Sequence, residues 1–538
     1  MYVSPPYPTP TNRIAGRRSG QTCPGYPDAS KLRVRDETTR VIDRARRAPR
    51  KTGASSRSPL STQSAASTDS DDASVSTSTQ DGGDETISDV DSQALLMLLD
   101  PAAPAENLHD LGINYYLSNY VVANSGPCPG FLNYSWDIIT DSGGDCEMVQ
   151  VAIRAIGLAA LASATGTEKL NLQARASYSQ ALRRLNTVLV DKTMANHDST
   201  VFTILTLSLY ETITCSDVGS LEAWKNHING AINLLMQRGA AQFRTTQGQQ
   251  IFGEAVAHLL TLCSRVNQPV PPKLRALRVE WQRTTEGTSP AWMLATTHIE
   301  VMELFHRVNP DKDTPFLQDE WETLLARGVE LDQRIQILVK EIPAPWGFKT
   351  VHDPEADPRV VYRGVYHIYY NTWVGKIWDG IRACRIFANQ AIYCLLLREG
   401  FTWAPEVLSE DGLYLDLLQR ASDTTTQMRD DILASVPQML GFVRQDEATG
   451  TWYLDSSSPD IPHLAPANGG YFLLWHLFLA GTLWMNAPDV RLWAIDRLRA
   501  IRSATGIQKA GFLADALKFH PGLVSSLLLA NEYLVRDL

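Results

Sequence analysis

The residues that could bind a metal ion or act as nucleophiles are scattered along this chain of 538 residues. Its seven cysteines form no close pairs, and its eleven histidines stand singly. The sequence has no phosphate-binding glycine loop, no G-x-S-x-G and no H-E-x-x-H. Asp430-Asp431 is the aspartate pair best placed to begin a metal motif on a helix, but Ala434 stands where a third acid would be. These patterns argue against an enzyme, and we expect no cofactor in the chain as written.

Two histidines, His227 and His476, lie in apolar stretches with helical spacing. A histidine hydrogen-bonded within a core is far commoner than a lone ligand, so we interpret both as core residues. Four aromatic residues fit one side of a predicted helix: Tyr366, Tyr369, Trp373 and Trp378. Because aromatic side chains dominate core packing, we interpret them as core residues too, with a ligand pocket as the alternative.

The composition is that of an ordinary soluble protein with a sizeable core. Hydrophobic residues make up 44% of the chain, and the net charge of -10 excludes a globally basic DNA binder. The odd number and wide spacing of the cysteines indicate reduced intracellular thiols. The N-terminus has no apolar run typical of a secretory signal. The apolar stretch from Tyr471 to Trp484 is too short to span a bilayer and predicts a buried helix, so we expect no membrane contact.

Charge and composition divide the chain into three parts. Residues 1–51 form a basic tail, with twelve Lys or Arg against four Asp or Glu between Arg13 and Lys51. Residues 52–93 are acidic and rich in Ser and Thr. Such a segment buries too little apolar surface to offset its chain entropy, so we expect a disordered linker there. Residues 94–538 carry the helical pattern and form the third part.

Apolar residues recur at helical spacing from about Ala94 onwards, which predicts an all-α protein. The predicted helices cover residues 172–189, 201–209, 221–235, 251–266, 291–308, 317–341, 361–398, 411–434, 470–485, 489–503, 507–518 and 522–535. Proline-rich breakers separate some of them, at 269–272 and 343–345. The sequence therefore predicts one large body of packed antiparallel helices preceded by a disordered N-terminal region.

One of these helices carries a recognisable pattern of residue types. Trp224, His227, Gly230, Ala231 and Gly239 stand in the order W-x-x-H-x-x-G-A-x-x-L-L-x-x-R-G. We expect Gly230 and Ala231 to let a neighbouring helix approach closely. We expect Gly239 to end the helix in a left-handed cap.

Two later stretches complete a resemblance. One spans residues 366–386 and includes Trp373, Trp378 and Arg382; the other begins at Gly469-Gly470 and continues to Gly506-Ile507-Gln508-Lys509-Ala510. Together with the first pattern, these stretches resemble the fungal-specific transcription factor domain found behind many zinc clusters. The family commonly has Asn and Tyr where Asp379 and Ile381 stand here. The resemblance implies a helical regulatory domain without a catalytic task.

The segment around Cys23 resembles the exit of a fungal binuclear zinc cluster. Cys23 is followed by Pro24-Gly25-Tyr26 and a basic linker, as the sixth cysteine of such a cluster often is. A cluster of this type binds two zinc ions through six thiolates, and residues 1–22 contain no other cysteine. Cys23 would therefore be a metal ligand only if the remaining five cysteines are encoded upstream. The alternatives are a protein that has lost its cluster, or an ordinary exposed thiol.

The basic segment behind Cys23 has three competing interpretations: nuclear import, contact with DNA phosphates, or a solvated tail. The residues that would make these contacts are Arg33, Arg35, Arg44, Arg46, Arg47, Arg50 and Lys51. We favour nuclear import. Further on, Ile87–Asp100 mixes acids with Leu and Met, as many activation segments do. We prefer to interpret it as a spacer followed by the first helix of the body.

The resemblance implies a nuclear regulator of RNA polymerase II transcription. Its partners would be the transcription machinery or other regulators, DNA through an upstream zinc cluster, and a second copy of the chain. The alternative is a cluster-less interaction protein that modulates other regulators without binding DNA. An all-helical enzyme is a distant third hypothesis.

Overall fold

The computed structural model describes residues 105–519, apart from 126–129, 142, 267, 285–289, 309–315, 404–412, 447, 463–464 and 484. The predictions made for the basic tail, for the acidic linker, for the helix at 522–535 and for residues 94–104 of the body lie outside the described residues. Within the described part, sixteen α-helices confirm the all-α prediction.

Turns, loops and two short hairpins separate the helices along the described chain. The first eight are α1 (Ala105–Tyr120), α2 (Ser135–Thr140), α3 (Cys146–Thr165), α4 (Glu168–Val188), α5 (Lys192–Ala195), α6 (Asp198–Thr214), α7 (Val218–Arg238) and α8 (Thr246–Val266). The others are α9 (Pro272–Thr284), α10 (Pro290–Val308), α11 (Gln318–Glu341), α12 (Thr372–Trp403), α13 (Leu413–Met439), α14 (Ala467–Thr482), α15 (Pro488–Thr505) and α16 (Gln508–Phe519). Helix α9 was not predicted, because Pro272, interpreted as a breaker, occupies its first position, where proline is tolerated.

The prediction of one helix over residues 361–398 is wrong in its first third. Strands β1 (Phe348–His352) and β2 (Val365–Tyr369) pair antiparallel, and α12 begins only at Thr372. Four of the five residues at 365–369 are β-branched or aromatic, and such residues favour a strand. The helix starts where the Asn371 side chain accepts a hydrogen bond from the backbone N–H of Val374, at 2.9 Å.

Tyr366 and Tyr369 therefore lie on a strand and do not share a helix face with Trp373 and Trp378. Both tyrosines are nevertheless buried. A second short hairpin pairs β3 (Val443–Gln445) with β4 (Trp452–Leu454).

Helix α14 is the central element of the body. It packs against α1, α12, α13, α15 and α16, and most of its residues are buried, as predicted for the stretch after Tyr471. Its first turn contains Gly469 and Gly470. A Cβ atom built on Gly469 would lie 1.7 Å from the Met439 carbonyl oxygen at the end of α13, so a larger side chain has no room there.

Helix α3 is the most apolar element of the N-terminal half. Asp145 caps it by accepting a hydrogen bond from the N–H of Met148, at 2.9 Å, and Gly166 ends it with a φ of 68°. By length and composition alone, this is one described helix that could cross a membrane. Its apolar stretch is 72% buried against α1, α4, α6 and other elements, as in the core helix of a soluble protein.

None of the five described cysteines forms a disulfide with another: Cys146, Cys215, Cys263, Cys384 and Cys394. Three of them are buried. Burial raises the pKa of the Cys263 thiol to about 12, which keeps it protonated and unreactive at neutral pH.

Candidate functional site

The three stretches that carry the family resemblance meet in the interior. Trp224 of α7 is buried, and its ring centroid lies 5.7 Å from that of Trp475 on α14. Lys509 of α16 places its Nζ atom 3.9 Å from the centroid of Trp224 and 4.9 Å from that of Trp475. Trp224 of the first pattern therefore meets Trp475 and Lys509 of the last stretch, and the Lys509 ammonium makes cation–π contacts with both indoles.

Lys509 is fully buried, and its ammonium has no hydrogen-bond partner among the described residues. Burial lowers the pKa of Lys509 to about 8, while the nearby Cys215 and Glu211 act in the opposite direction. Sequence reasoning included Lys509 in the resemblance without assigning it a role. Its position offered a signal, because it shares the apolar face of α16 with Leu513 and Leu517.

His227 belongs to the same buried region and is a hydrogen-bonded core residue, in agreement with its interpretation from sequence. Its Nε2 atom lies 3.2 Å from the hydroxyl of Tyr178 and 3.9 Å from Oε1 of Glu211. The Tyr178 hydroxyl donates a hydrogen bond to Glu211. Burial lowers the pKa of His227 to about 4, so the imidazole is neutral at pH 7.

Glu211 is a buried carboxyl group on α6 that the sequence analysis missed. Burial raises its pKa to about 7, and the hydrogen bond from Tyr178 opposes this rise. The carboxyl group therefore changes its protonation near neutral pH. No charge pattern in the sequence reveals it, because Glu211 lies in a helix whose residues from Ser199 to Ile213 are all buried.

Two expectations for the first pattern are wrong in detail. A Cβ atom on Gly230 would meet nothing within 4 Å, so this glycine does not mark a close helix contact, although Ala231 is buried. Gly239 does follow the last residue of α7, and its φ of 64° suits glycine. Its ψ of -155° is extended, however, so the residue is not a left-handed cap.

The second stretch forms a buried polar network around Arg382. Arg382 donates hydrogen bonds to Oδ1 of Asp379, at 2.8 Å, and to the Tyr369 hydroxyl, at 2.7 Å. Ser435 donates to the other oxygen of Asp379, at 2.9 Å. Asp379 and Arg382 are both buried, so the aspartate that departs from the family pattern supplies the counter-ion of this arginine.

The tryptophans of the second stretch face different neighbours. Trp378 donates a hydrogen bond to the carbonyl oxygen of Trp346, at 2.7 Å. Trp373 packs on Phe131, with ring centroids 5.3 Å apart. The Nζ atom of Lys376 lies 4.4–5.0 Å from the centroids of Trp373, Phe131 and Phe472. Phe472 belongs to the Gly470 stretch, so the second and third stretches also meet.

Helix α14 connects these contacts. Its residues Phe472 and Trp475 accept the cations of Lys376 and Lys509, and Gly470 allows α15 to approach. A Cβ atom on Gly470 would lie 3.0 Å from Cγ2 of Ile501. His476 places Nδ1 2.7 Å from the Phe472 carbonyl oxygen, as a core histidine would.

A small cavity lies beside α14, with room for about one water molecule. Its polar lining includes Glu254 and His258 of α8 and Tyr471 of α14. Glu254 accepts a hydrogen bond from the Tyr134 hydroxyl, at 2.6 Å. The described residues contain no cluster of three or more His, Cys, Asp or Glu that could hold a metal ion.

The acidic pair considered for a metal motif makes ordinary contacts. Asp430 pairs with Arg429, at 2.7 Å, and Asp431 lies 3.6 Å from Nε2 of His367. The predicted metal ligand Cys23 lies outside the described residues. The same is true of the residues predicted to contact DNA or to direct nuclear import, which are Arg33, Arg35, Arg44, Arg46, Arg47, Arg50 and Lys51.

Comparison with protein families finds a match in the N-terminal part of the described residues. Residues 113–335 match the family model described as the fungal specific transcription factor domain. Over these residues the chain is similar to that domain. Comparisons with curated proteins and with solved structures gave no significant match.

The fungal transcription factor domain implies a transcription regulator. The matched residues run from the middle of α1 to α11 and contain the Trp224 pattern. The Trp373 and Gly470 stretches lie C-terminal to the match, yet they contact it through Trp475, Lys509 and Phe131.

Proposed function

We propose that this protein is a nuclear regulator of RNA polymerase II transcription, with the helical body as its regulatory part and no enzymatic activity. The observation that carries the proposal is the family match over residues 113–335. The basic segment from Arg33 to Lys51 supports nuclear import, since clustered Lys and Arg residues are typical of import signals.

We propose further that any sequence-specific binding of DNA by this protein uses a zinc cluster that ends at Cys23. Zinc would then be bound by six thiolates, five of them encoded upstream. The basic residues behind Cys23 would contact phosphates without reading sequence. Other regulators, the transcription machinery and a second copy of the chain are the partners that fit a helical body of this family.

The second candidate function is a cluster-less interaction protein that modulates other regulators. It is considered because Cys23 is the one cysteine among residues 1–127, and a cluster of this type needs six thiolates. Mapping the 5′ end of the transcript separates the two. An in-frame extension encoding five further cysteines supports DNA binding, whereas translation that begins at Met1 supports the cluster-less alternative.

A tethering assay tests regulation without assuming either alternative. The full chain is fused to a heterologous DNA-binding domain and placed upstream of a reporter gene that carries the matching operator. We expect reporter expression to change several-fold, in either direction, relative to the DNA-binding domain alone. A nuclear, intact fusion that leaves the reporter unchanged would contradict the proposal. A reporter that lacks the operator serves as the control.

A further inference from the structure

The small cavity beside α14 contains a carboxylate and an imidazole at close range. Glu254 and His258 are one turn apart on α8, and both line the cavity. Oε1 of Glu254 lies 3.7 Å from Nε2 of His258. The side chain of Glu254 is 11% exposed and that of His258 is 15% exposed, so solvent reaches the pair. Both groups therefore border space that a small solute can enter.

The distance between these two atoms indicates what fits between them. A direct hydrogen bond would bring them to about 2.7–3.2 Å. A water molecule that donates to both, with bonds of about 2.8 Å and a tetrahedral angle, would hold them about 4.6 Å apart. A zinc ion bound to each at about 2.1 Å, with the same angle, would hold them about 3.4 Å apart. The observed 3.7 Å is closest to the last of these values.

Tyr134 fixes the carboxylate of Glu254. Its hydroxyl donates a hydrogen bond to Oε2, at 2.6 Å, which leaves Oε1 for a ligand. Burial raises the pKa of Tyr134, so the phenol stays protonated and remains a donor. Hydrogen bonds of this kind orient the carboxylate ligands of metal sites. The carboxylate is therefore held in place before any ligand binds.

The size and charge of the cavity favour one small cation. It has room for about one water molecule, which excludes an organic ligand. Apart from Glu254 and His258, its lining residues carry no formal charge. Glu254 also acts on the pKa of Lys376, but the Lys376 Nζ atom lies 4.5 Å from the centroid of Phe131 and makes no ion pair with the carboxylate within 4.0 Å. Oε1 of Glu254 is therefore open to a cation.

We propose that Glu254 and His258 bind a zinc ion in this cavity. Imidazole nitrogen and carboxylate oxygen are common zinc ligands, whereas Mg²⁺ and Ca²⁺ prefer oxygen alone. The described residues add no third His, Cys, Asp or Glu to the pair, so water completes the coordination. A site with two protein ligands holds zinc less tightly than a structural site with four, so the ion exchanges with zinc in solution. This site needs no thiolate and is separate from the cluster proposed at Cys23.

Bound zinc would link the stability of the helical body to the zinc supply. The cavity is lined by residues of α1, α6, α8 and α14, so the ion would neutralise a carboxylate where four helices meet. A ligand that binds only the folded state stabilises it. The body would therefore be more stable when zinc is abundant.

The test measures zinc binding directly on the folded protein. The purified full chain, without an affinity tag and without DNA, is titrated with zinc chloride in a calorimeter, so the outcome is independent of the proposed function. Every protein carries Cys23→Ser, which removes the thiol of the proposed cluster. We expect saturable binding of zinc and none of magnesium chloride at the same concentrations. The absence of zinc binding would overturn the proposal and leave water as the occupant.

Three variants assign the ion to this pair. Glu254→Gln and His258→Gln each remove one ligand with little change of volume. Each should weaken zinc binding by at least about tenfold, since the loss of an outer hydrogen bond alone costs about that much. Tyr134→Phe removes that outer hydrogen bond and should weaken binding by about tenfold. The unfolding transition of each variant shows whether it folds, and either ligand variant suffices where the other does not fold.

A second carboxylate–imidazole pair supplies the comparison variant, Asp141→Asn. Oδ2 of Asp141 lies 3.5 Å from Nε2 of His197, but neither residue lines the cavity. This variant should bind zinc as tightly as the parent protein. Unchanged zinc binding in Glu254→Gln and His258→Gln, or an equal loss in Asp141→Asn, would place the ion elsewhere and overturn the proposal.

Discussion

At the scale of the residue, burial controls the charges around Trp224. Glu211 and Lys509 have their pKa values moved towards neutrality by the same cause, the loss of water around a charge. The carboxyl group is driven towards its protonated form and the amine towards its free base. This pair is a source of pH-dependent stability in a protein with few other strongly shifted carboxyl groups among its described residues.

Replacing Glu211 by Gln should change how stability depends on pH. The folded-state pKa of about 7 exceeds the ordinary value of 4.5, so the stability that protonation supplies is complete below about pH 4.5 and is lost as the pH rises through 7. The free energy of unfolding of the wild type should therefore fall, relative to Glu211→Gln, by about 2 kcal/mol between pH 5 and pH 8. Urea unfolding at four pH values measures the difference.

The control for this prediction is Glu222→Gln. Glu222 is an exposed carboxylate on α7, and its removal should leave the pH dependence of stability unchanged. His227 and Lys509 also have shifted pKa values, but both residues are present in the wild type and in Glu211→Gln, so their contributions cancel in the difference between the two proteins. A wild-type-minus-variant difference that stays constant from pH 5 to pH 8 would show that Glu211 is not perturbed.

Lys509 leads to a second prediction at this scale. Lys509→Met keeps the volume of the side chain and removes a buried ammonium that has no hydrogen-bond partner among the described residues. We expect the free energy of unfolding at pH 7 to rise by about 1 kcal/mol, because the desolvation of the charge exceeds its attraction to the rings. Chemical denaturation measures it. Lys225→Met, at a partly exposed position on α7, should change stability by less than about 0.5 kcal/mol.

The outcome for Lys509 separates two physical accounts. A loss of more than 2 kcal/mol in Lys509→Met would mean that the contacts with Trp224 and Trp475, or an unseen acceptor, stabilise the ammonium more than burial disfavours it.

At the scale of the element, two glycines of similar appearance in the sequence should respond in opposite ways. Gly469→Ala would place a Cβ atom 1.7 Å from the Met439 carbonyl oxygen, so α13 and α14 must separate. We expect a loss of at least about 3 kcal/mol. Gly230→Ala meets open space inside α7 and should stabilise the protein by about 0.5–1 kcal/mol. Thermal unfolding of both variants checks the pair, and equal effects would contradict the helix contacts described here.

Sequence patterns predicted the helices where apolar residues recur on one face. Helices α4, α6, α7, α8, α10, α11 and α13–α16 overlap their predicted ranges closely. The pattern failed at residues 361–371, because aromatic and β-branched residues form a buried stripe in a strand as well as in a helix. Tyr366 and Tyr369 consequently lie on a strand and not on the predicted helix, but both are buried, as expected for core residues.

The polar groups of the site could not be predicted in the same way. A sequence motif records which residue types recur at given positions. Three residues of the motifs, Trp224, His227 and Gly470, are indeed buried. A motif does not record which helices meet, and Tyr178, Glu211 and His227 come together only through tertiary packing of separate helices. Gly230 shows the same limit, since its place in a family pattern suggested a helix contact that the fold does not make.

At the scale of the whole molecule, the proposed function gives the basic tail and the helical body separate tasks. Replacing Arg44, Arg46, Arg47, Arg50 and Lys51 by Ala should abolish nuclear accumulation, because an import signal requires clustered positive charge. The nuclear-to-cytoplasmic ratio of a fluorescent fusion measures the effect. Replacing Arg13, Arg17, Arg18 and Lys31, which lie before the cluster, serves as the control. An unchanged ratio in the first variant would assign the cluster to DNA contact or to a solvated tail.

The contact of Trp224 with Trp475 and Lys509 also bears on how the chain can be divided. The family match ends at Ile335, whereas the indole and the ammonium that cover Trp224 come from residues more than 130 positions further along. The limit of sequence similarity is therefore not the limit of the folding unit. A fragment that ends at Ile335 would leave the buried face of α7 around Trp224 exposed to water. The remaining C-terminal fragment carries the residues that cover this face. We therefore expect the two fragments, produced separately, to bind each other.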